Sequence, residues 1–203
     1  MNLCIQKKMN YLVEYYNEIK EGRILVGSEL LTVLEGLIQD LDNPKFIYDE
    51  TDGNLRIEFI ERFCKHTKSP FNGQPFLLEL WEKAMLQVSY GFKYSDTGLR
   101  RFNEVLLLIA RKNGKTTFVA GIDLAEFFLS RGGVDIVCAS NTNDQASILF
   151  EEINNMREHS KALSKPKRSK KNIFYIYSPR SKNKIKKLSG QSRNLDGFNI
   201  EVG

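Results

Sequence analysis

The stretch from Leu106 to Thr117 constrains the fold of this chain more than any other part of the sequence. An apolar run ends at Ala110 and passes directly into the sequence Arg-Lys-Asn-Gly-Lys-Thr-Thr, which we call the basic loop (residues 111–117). A helical pattern of apolar residues begins at Phe118 and runs to about Ser130. A strand, a loop and a helix in this order bring unpaired backbone N–H groups and the positive end of a helix dipole together. The stretch therefore predicts an anion site.

The basic loop also contains the residue types that bind a nucleotide phosphate. Gly114 allows the backbone to approach a phosphate, Lys115 can reach the β- and γ-phosphates, and the Thr116 hydroxyl can ligate Mg²⁺. In the pattern G-x-x-x-x-G-K-[ST] the first glycine would fall at residue 109, where this chain has Ile109. The loop predicts an ATP site, and an ordinary helix start with a solvated lysine is the alternative.

Positive charge is concentrated in one part of the chain, which we call the cationic segment (residues 161–187). It carries eleven Lys and Arg residues and no Asp or Glu, although residues 1–160 are net acidic. Such a segment attracts polyanions and predicts salt-dependent binding to nucleic acid phosphates. A solvated or disordered loop is the alternative.

Other sequence features narrow the class of protein. No apolar run approaches the roughly 18 residues of a membrane helix, and no targeting signal opens the chain, so we expect no membrane partner and a cytoplasmic location. The three cysteines, Cys4, Cys64 and Cys138, lie far apart in apolar surroundings. This spacing predicts buried, reduced thiols and not a metal site.

The periodicity of apolar residues divides the chain into two parts. Helical spacing covers residues 9–21, 28–41, 55–66 and 77–88. The loop Ser69–Pro75 is rich in helix-breaking residues, and we place a boundary there. The prediction is a small helical N-terminal region, residues 1–69, followed by a main domain, residues 70–203.

The main domain shows the order strand, helix, strand, helix. The apolar run Phe102–Ala110 predicts a strand covered on both faces, and Val134–Ala139 predicts a second one. This order predicts an α/β fold with a parallel sheet and crossover helices. Further on, two short apolar runs, residues 173–177 and 185–188, predict a hairpin of two strands. A turn is predicted at residues 195–199, and a last strand at residues 200–203.

Five stretches in this order resemble the large terminase subunit of tailed bacteriophages. They are Pro70–Trp81, Arg100–Phe102, Ala110–Thr116, Ala139–Ala146 and Leu195–Asn199. In that family the phosphate loop commonly lacks its first glycine and has an arginine three residues before the second. The resemblance implies a P-loop NTPase fold, with a parallel sheet and flanking helices, whose ATPase activity drives double-stranded DNA into a capsid. It also implies a nuclease domain, contacts with the portal and the terminase small subunit, and leaves self-association into a homo-oligomer open.

The resemblance assigns roles to individual residues. Lys115 would hold the terminal phosphates of ATP, Thr116 would ligate Mg²⁺, and Arg111 would be an arginine finger supplied by the same chain. The rest of the nucleotide cradle would come from Lys112, Asn113, Gly114 and Thr117. The family tends to have an adenine-reading Gln directly after the helix tryptophan, whereas this chain has Glu82 there. Gln74 is the substitute that we predict.

The resemblance also predicts an acidic Walker B pair shortly after Leu195–Asn199, and no Asp-Glu pair occurs before Gly203. We therefore expect a truncated piece without the nuclease domain, which binds nucleotide and hydrolyses it poorly. Two other functions stay open at this point. One is another P-loop motor, such as a helicase, and the other is a non-catalytic nucleic-acid-binding module built on the cationic segment.

Overall fold

The computed structural model of the chain describes residues 9–173, 175–189 and 200–202. The helices are α1 (Tyr11–Lys20), α2 (Ser28–Asp40), α3 (Thr51–Phe63), α4 (Leu80–Gly91), α5 (Lys115–Leu129) and α6 (Asn143–His159). The strands are β1 (Phe46–Tyr48), β2 (Phe92–Tyr94), β3 (Asp135–Ser140), β4 (Lys170–Lys171), β5 (Tyr175–Tyr177), β6 (Lys184–Ser189) and β7 (Ile200–Val202). Within this part of the chain, no helix has the length and apolar character needed to cross a membrane.

The chain forms two compact units that interleave along the sequence. The first contains residues up to 57 together with Leu78–Leu107, and the second contains Glu58–Leu77 together with the residues from Leu108 onward. The functional division between residues 69 and 70 stays a prediction. The turn expected at residues 195–199 lies outside the described residues.

Helices α1, α2 and α4 give the first unit its core, because each turns one apolar stripe inward. Leu12, Leu34, Leu37, Ala84 and Phe92 are all buried there. The Gln87 side chain is fully buried, and both of its polar atoms are bonded. Its Oε1 accepts from Tyr11 N–H at 2.7 Å and its Nε2 donates to Asn54 Oδ1 at 2.7 Å, so this amide joins α1, α3 and α4. The predicted helices α1 and α2 are confirmed.

The second unit contains a five-stranded sheet in the order β4-β5-β6-β3-β7. Strand β3 pairs in parallel with β6 and β7, whereas β4-β5-β6 is antiparallel. The predicted α/β class and the β5-β6 hairpin are confirmed, and the sheet is mixed. The cationic segment therefore lies partly in the sheet, because it supplies strands β4 and β5 and the first four residues of β6.

Helices α5 and α6 pack in the second unit through large apolar side chains. Phe118, Leu124 and Phe127 of α5 are fully buried, as are Phe150 and Ile153 of α6. Two cysteines of this unit are buried free thiols, as predicted, and they are Cys64 and Cys138. This packing fixes the direction of α5 and thus the place where the basic loop begins it.

The strand predicted at residues 102–110 is wrong. These residues form no regular strand, and Leu106 and Leu108 are 83% and 81% exposed. Local apolar character favours a strand only where a neighbouring backbone is available to pair with it. Both edges of β3 are already paired, with β6 and β7, so β3 offers this stretch no position beside it.

Candidate functional site at the start of helix α5

The backbone of the basic loop has an unusual conformation and is open to solvent at Gly114. Lys112 and Gly114 both lie in the left-handed region, with φ of 71° and 76°. Gly114 is the N-cap residue of α5. A Cβ placed on Gly114 would meet no other atom within 4 Å, so packing against the described protein does not require glycine here. The open space in front of this residue leaves room for a ligand to approach the backbone closely.

Several backbone donors at this helix start have no partner. The first bond of the helix runs from Phe118 N–H to Gly114 O at 2.9 Å. The preceding N–H groups of Lys115, Thr116 and Thr117 have no acceptor among the described residues, because α5 has no side-chain cap. The first turn of α5 also contains no acidic residue. These donors and the helix dipole together attract an anion.

The predicted loop residues are brought together at this point. Arg111, Lys112 and Lys115 are exposed, and none of them forms an ion pair with a residue in the described ranges. Thr116 is half-buried at the first turn of the helix. Its hydroxyl is a hard oxygen ligand of the kind that Mg²⁺ prefers, so the residues present fit a magnesium-bound triphosphate. The described residues contain no group of three or more His, Cys, Asp or Glu side chains that could hold a metal ion.

A buried carboxylate of α6, which the sequence did not reveal, contacts the basic loop. Glu152 of α6 is 2% exposed. Its Oε1 accepts from the Thr67 hydroxyl at 2.6 Å and from the Thr117 hydroxyl at 3.4 Å, and its Oε2 lies 3.0 Å from Lys68 Nζ. Glu152 lies three residues after Leu149, within the buried stripe of α6, and this position is the signal that could have identified it. Through Glu152, α6 contacts both the basic loop and the segment around Thr67.

Gln74 lies in a loop whose two ends are joined by backbone hydrogen bonds. His66 N–H donates to Gln74 O at 2.9 Å, and Phe76 N–H donates to Cys64 O at 3.1 Å. His159 of α6 contacts Asn72 Oδ1 at 3.0 Å through Nε2, so this segment is also attached to α6. The Gln74 side chain is exposed, and no hydrogen bond among the described residues joins it to the basic loop. Its role in reading adenine stays a prediction.

Glu82, at the position where the resembling family tends to have Gln, has a structural role in the first unit. Its Oε2 accepts from Glu79 N–H at 2.8 Å, and the Glu79 side chain accepts in turn from the Glu82 backbone, which forms a capping box at the start of α4. Glu82 is 4% exposed, and burial raises the pKa of its carboxyl to about 7. This side chain supplies α4 with an internal acceptor.

A second buried acid lies within α5 itself. Asp123 is 3% exposed, and burial, followed by the nearby Glu126 carboxylate, raises the pKa of Asp123 to about 7. Burial, followed by the charge of Asp123, also raises the pKa of the Cys138 thiol. The core face of α5 is therefore sensitive to pH near neutrality, while its first turn carries an exposed cation.

Together these features define an α/β protein with a cationic, uncapped helix start whose geometry suits an anion. Residues 80–202, more than half of the chain, match the family described as the terminase large subunit, ATPase domain. The chain therefore belongs to the terminase large subunit ATPase family.

The chain is similar to the terminase large subunit of Enterobacteria phage HK97, with 35% identity over 102 residues. This match covers 49% of the chain and 19% of the phage protein, so the chain spans about a fifth of that relative. It is also similar to the crystal structure of the HK97 bacteriophage large terminase, with a TM-score of 0.59 and 27% identity. That likeness covers 71% of this chain and 29% of the other.

Proposed function

We propose that the basic loop binds the phosphates of ATP with Mg²⁺, and that this chain is the ATP-binding part of a phage DNA-packaging motor. The observation that supports this most is the uncapped start of α5, where Gly114 opens the backbone and Lys115 stands among free N–H groups. The family supports the same proposal, because its description is that of an ATPase domain. In the complete protein, ATP hydrolysis would drive DNA translocation.

Each loop residue has a physical role in this proposal. Lys115 holds the terminal phosphates, Thr116 ligates Mg²⁺, and Arg111 neutralises charge on the transferred phosphoryl group. Phosphoryl transfer spreads negative charge over the γ-phosphate oxygens, so that cations fixed nearby lower its barrier. Lys112, Asn113 and Thr117 complete the cradle, and Glu152 orients Thr117. We expect nucleotide binding with slow turnover in residues 1–203.

The DNA partner would contact the exposed part of the cationic segment. Some of its cations are used internally, since Lys171 Nζ lies 2.9 Å from Glu151 Oε2 and Lys186 Nζ lies 3.1 Å from Asp135 Oδ1. Others, such as Lys165, are exposed and have no ion-pair partner among the described residues. We propose that these exposed cations bind the phosphates of double-stranded DNA. Portal, capsid and small-subunit contacts are proposed for the complete protein.

Titration of fluorescently labelled ATP and Mg²⁺ against the chain and its Lys115→Ala variant tests the ATP proposal. We expect a loss of about a hundredfold in affinity, because Lys115 makes charge-assisted bonds to the phosphates. Lys161→Ala, which also removes one exposed cation, is the control and should leave affinity within about twofold. Equal binding by the chain and Lys115→Ala, or no binding by either, would contradict the proposal. Persistent DNA binding in the latter case would favour a nucleotide-independent module.

A further inference from the structure

A cavity of the second unit lies near the C-terminal end of α5, away from the basic loop. Its volume is about 630 Å³, within the usual range of small-molecule sites. Four segments line it: α3, the end of α5 with Gly132, the turn at residues 163–168 and the turn at residues 178–181. Helix α5 has 15 residues, so this cavity is roughly 20 Å from the basic loop at about 1.5 Å per residue. It is a separate place from the proposed ATP site.

One wall of this cavity is aromatic. Phe63 and Phe128 are half-buried and line it, and Phe59 lies between them in the wall. The Phe59 and Phe128 rings are stacked at 5.8 Å between centroids with 28° between planes, and the Phe59 and Phe63 rings lie 5.2 Å apart. Rings held in this way present fixed flat surfaces, which suit a planar aromatic ligand.

The cavity is also lined by cations. Lys167, Arg168 and Arg180 line it, and all three are exposed. None of them forms an ion pair with another described residue, and none of the described residues that line the cavity is acidic. Three unneutralised cations around one space attract a ligand that is itself negatively charged.

A buried hydroxyl group in the lining indicates that the ligand has a hydrogen-bond acceptor. Ser178 is 5% exposed and lines the cavity. Its Oγ accepts from Ser181 N–H at 3.2 Å, but its own O–H group donates to no acceptor among the described residues. A buried donor without an acceptor is costly, so a phosphate oxygen in the cavity would satisfy it.

We propose that this cavity binds one nucleotide, with an unstacked base against Phe63 and Phe128 and its phosphate against Arg168, Arg180 and Ser178. Guanidinium groups bind phosphate through paired hydrogen bonds, and bases stack on aromatic rings regardless of sequence. The lining residues belong to no strand, so the cavity offers no edge for an extended peptide backbone. The nucleotide could be free or an unpaired nucleotide of a DNA strand. The proposal does not depend on ATP binding at the basic loop.

The test measures binding of a labelled, 5′-phosphorylated oligothymidylate by fluorescence anisotropy, with thymidine 5′-monophosphate as the competitor. The first variant combines Lys167→Ala, Arg168→Ala and Arg180→Ala. Its matched control combines Lys161→Ala, Lys165→Ala and Lys170→Ala, which remove the same charge from exposed positions of the same segment outside the cavity. Both variants lose general contacts to phosphates, because the exposed cations of this segment are proposed to bind DNA. We therefore expect the cavity variant to bind at least about tenfold more weakly than the control at the same salt concentration.

Two single variants test the specific contacts. Ser178→Ala and Phe63→Leu should each weaken binding about fivefold, because one removes the buried donor and the other the stacking ring. Lys115→Ala should leave it unchanged, which separates this site from the basic loop. Displacement by thymidine 5′-monophosphate would identify a free nucleotide as ligand, and its failure to displace the oligonucleotide would identify a strand.

Three results would overturn the proposal. Equal weakening by the cavity variant and its control would show nonspecific electrostatic binding, with the cavity cations serving as counter-charges for the C-terminal end of α5. Unchanged binding in both Ser178→Ala and Phe63→Leu would show that neither contact exists. Tighter binding of a peptide of alternating Glu and Phe would assign the cavity to a protein partner.

Discussion

Helices α4 and α5 begin in opposite ways, although every helix start leaves backbone N–H groups without partners. At α4, Glu79 and Glu82 form a capping box, and the buried Glu82 carboxylate accepts a backbone bond. At α5, Gly114 supplies no side chain, the first turn has no acid, and Lys115 adds a positive charge. The first helix supplies its own hydrogen-bond acceptors, and the second leaves its backbone donors open to an external anion.

Helix α2 shows that a missing cap alone does not distinguish α5. It also begins after a glycine without a side-chain cap, but Glu29 lies in its first turn. A local carboxylate therefore offsets the dipole of α2. Only at α5, among these three starts, is the dipole accompanied by a cation and by a left-handed glycine.

The largest expected effect comes from giving α5 a carboxylate of its own through Gly114→Asp. This carboxylate would occupy the position proposed for the phosphates, and we expect ATP affinity to fall about a thousandfold. Stability should fall by only about 1 kcal/mol, because the cost is that of a left-handed non-glycine residue. Labelled-ATP titration and urea unfolding measure the two quantities.

Gly98→Asp is the matched control for this variant. Gly98 also has a positive φ, of 69°, and open space around its Cβ position. It should show a similar loss of stability with no effect on ATP binding. If Gly114→Asp bound ATP as tightly as the unaltered chain, an anion site at the start of α5 would be ruled out.

The next effect concerns Glu152, which supports α5 as Glu82 supports α4. Glu152→Ala should lower the free energy of unfolding by about 3 kcal/mol, because it breaks a buried, multiply bonded carboxylate. Glu152→Gln keeps an acceptor for Thr67 and should cost about half as much. Denaturant unfolding measures both changes, and a loss below about 0.5 kcal/mol in Glu152→Ala would show that this contact does not stabilise the unit.

The parts of the site that the sequence predicted are local. The helix that follows Gly114 was predictable because its apolar spacing, its glycine and its lysine all lie within one short stretch. The burial of Glu152 could be inferred from its place in the apolar stripe of α6. Its contact with Thr67 could not, since Thr67 is 85 residues away and nothing local marks that contact. A local sequence pattern predicts contacts between residues that are close along the chain. The environment of a buried carboxylate depends instead on distant residues that folding brings close to it.

Strand pairing shows the same limit. The sequence did not predict β1 and β2, which are three residues each and pair across more than forty residues of chain. At residues 102–110 the opposite error occurred, because the apolar run favoured a strand for which no neighbour exists among the described residues. Strand propensity depends on packing against a partner strand, and the sequence of one segment does not identify that partner.

A smaller effect tests the buried carboxyl group of α4, Glu82, through pH. The raised pKa of Glu82 means that the folded state binds a proton more tightly than the unfolded state. The contribution of Glu82 to stability is therefore fully present below pH 4.5, the ordinary pKa of this group, and is lost as pH rises through about 7. Glu82→Gln should reduce the difference in unfolding free energy between pH 5 and pH 8 by about 1–2 kcal/mol. Asp123 adds a loss in the same direction, so Glu82→Gln should flatten the profile only in part; an unchanged profile would contradict the raised pKa.

The smallest effect concerns how much of the cationic segment acts as an anion site. Each exposed cation that contacts a DNA phosphate steepens the dependence of log affinity on log salt by about 0.9. Lys165→Ala should therefore reduce this slope by about one, whereas Lys186→Ala should leave it nearly unchanged because Asp135 already neutralises Lys186. Duplex DNA binding measured between low and moderate salt gives both slopes. Equal slope changes would mean that the ion pair between Lys186 and Asp135 opens on binding. The difference between groups with a partner in the protein, as at α4, and groups without one, as at α5, would then not apply to this segment.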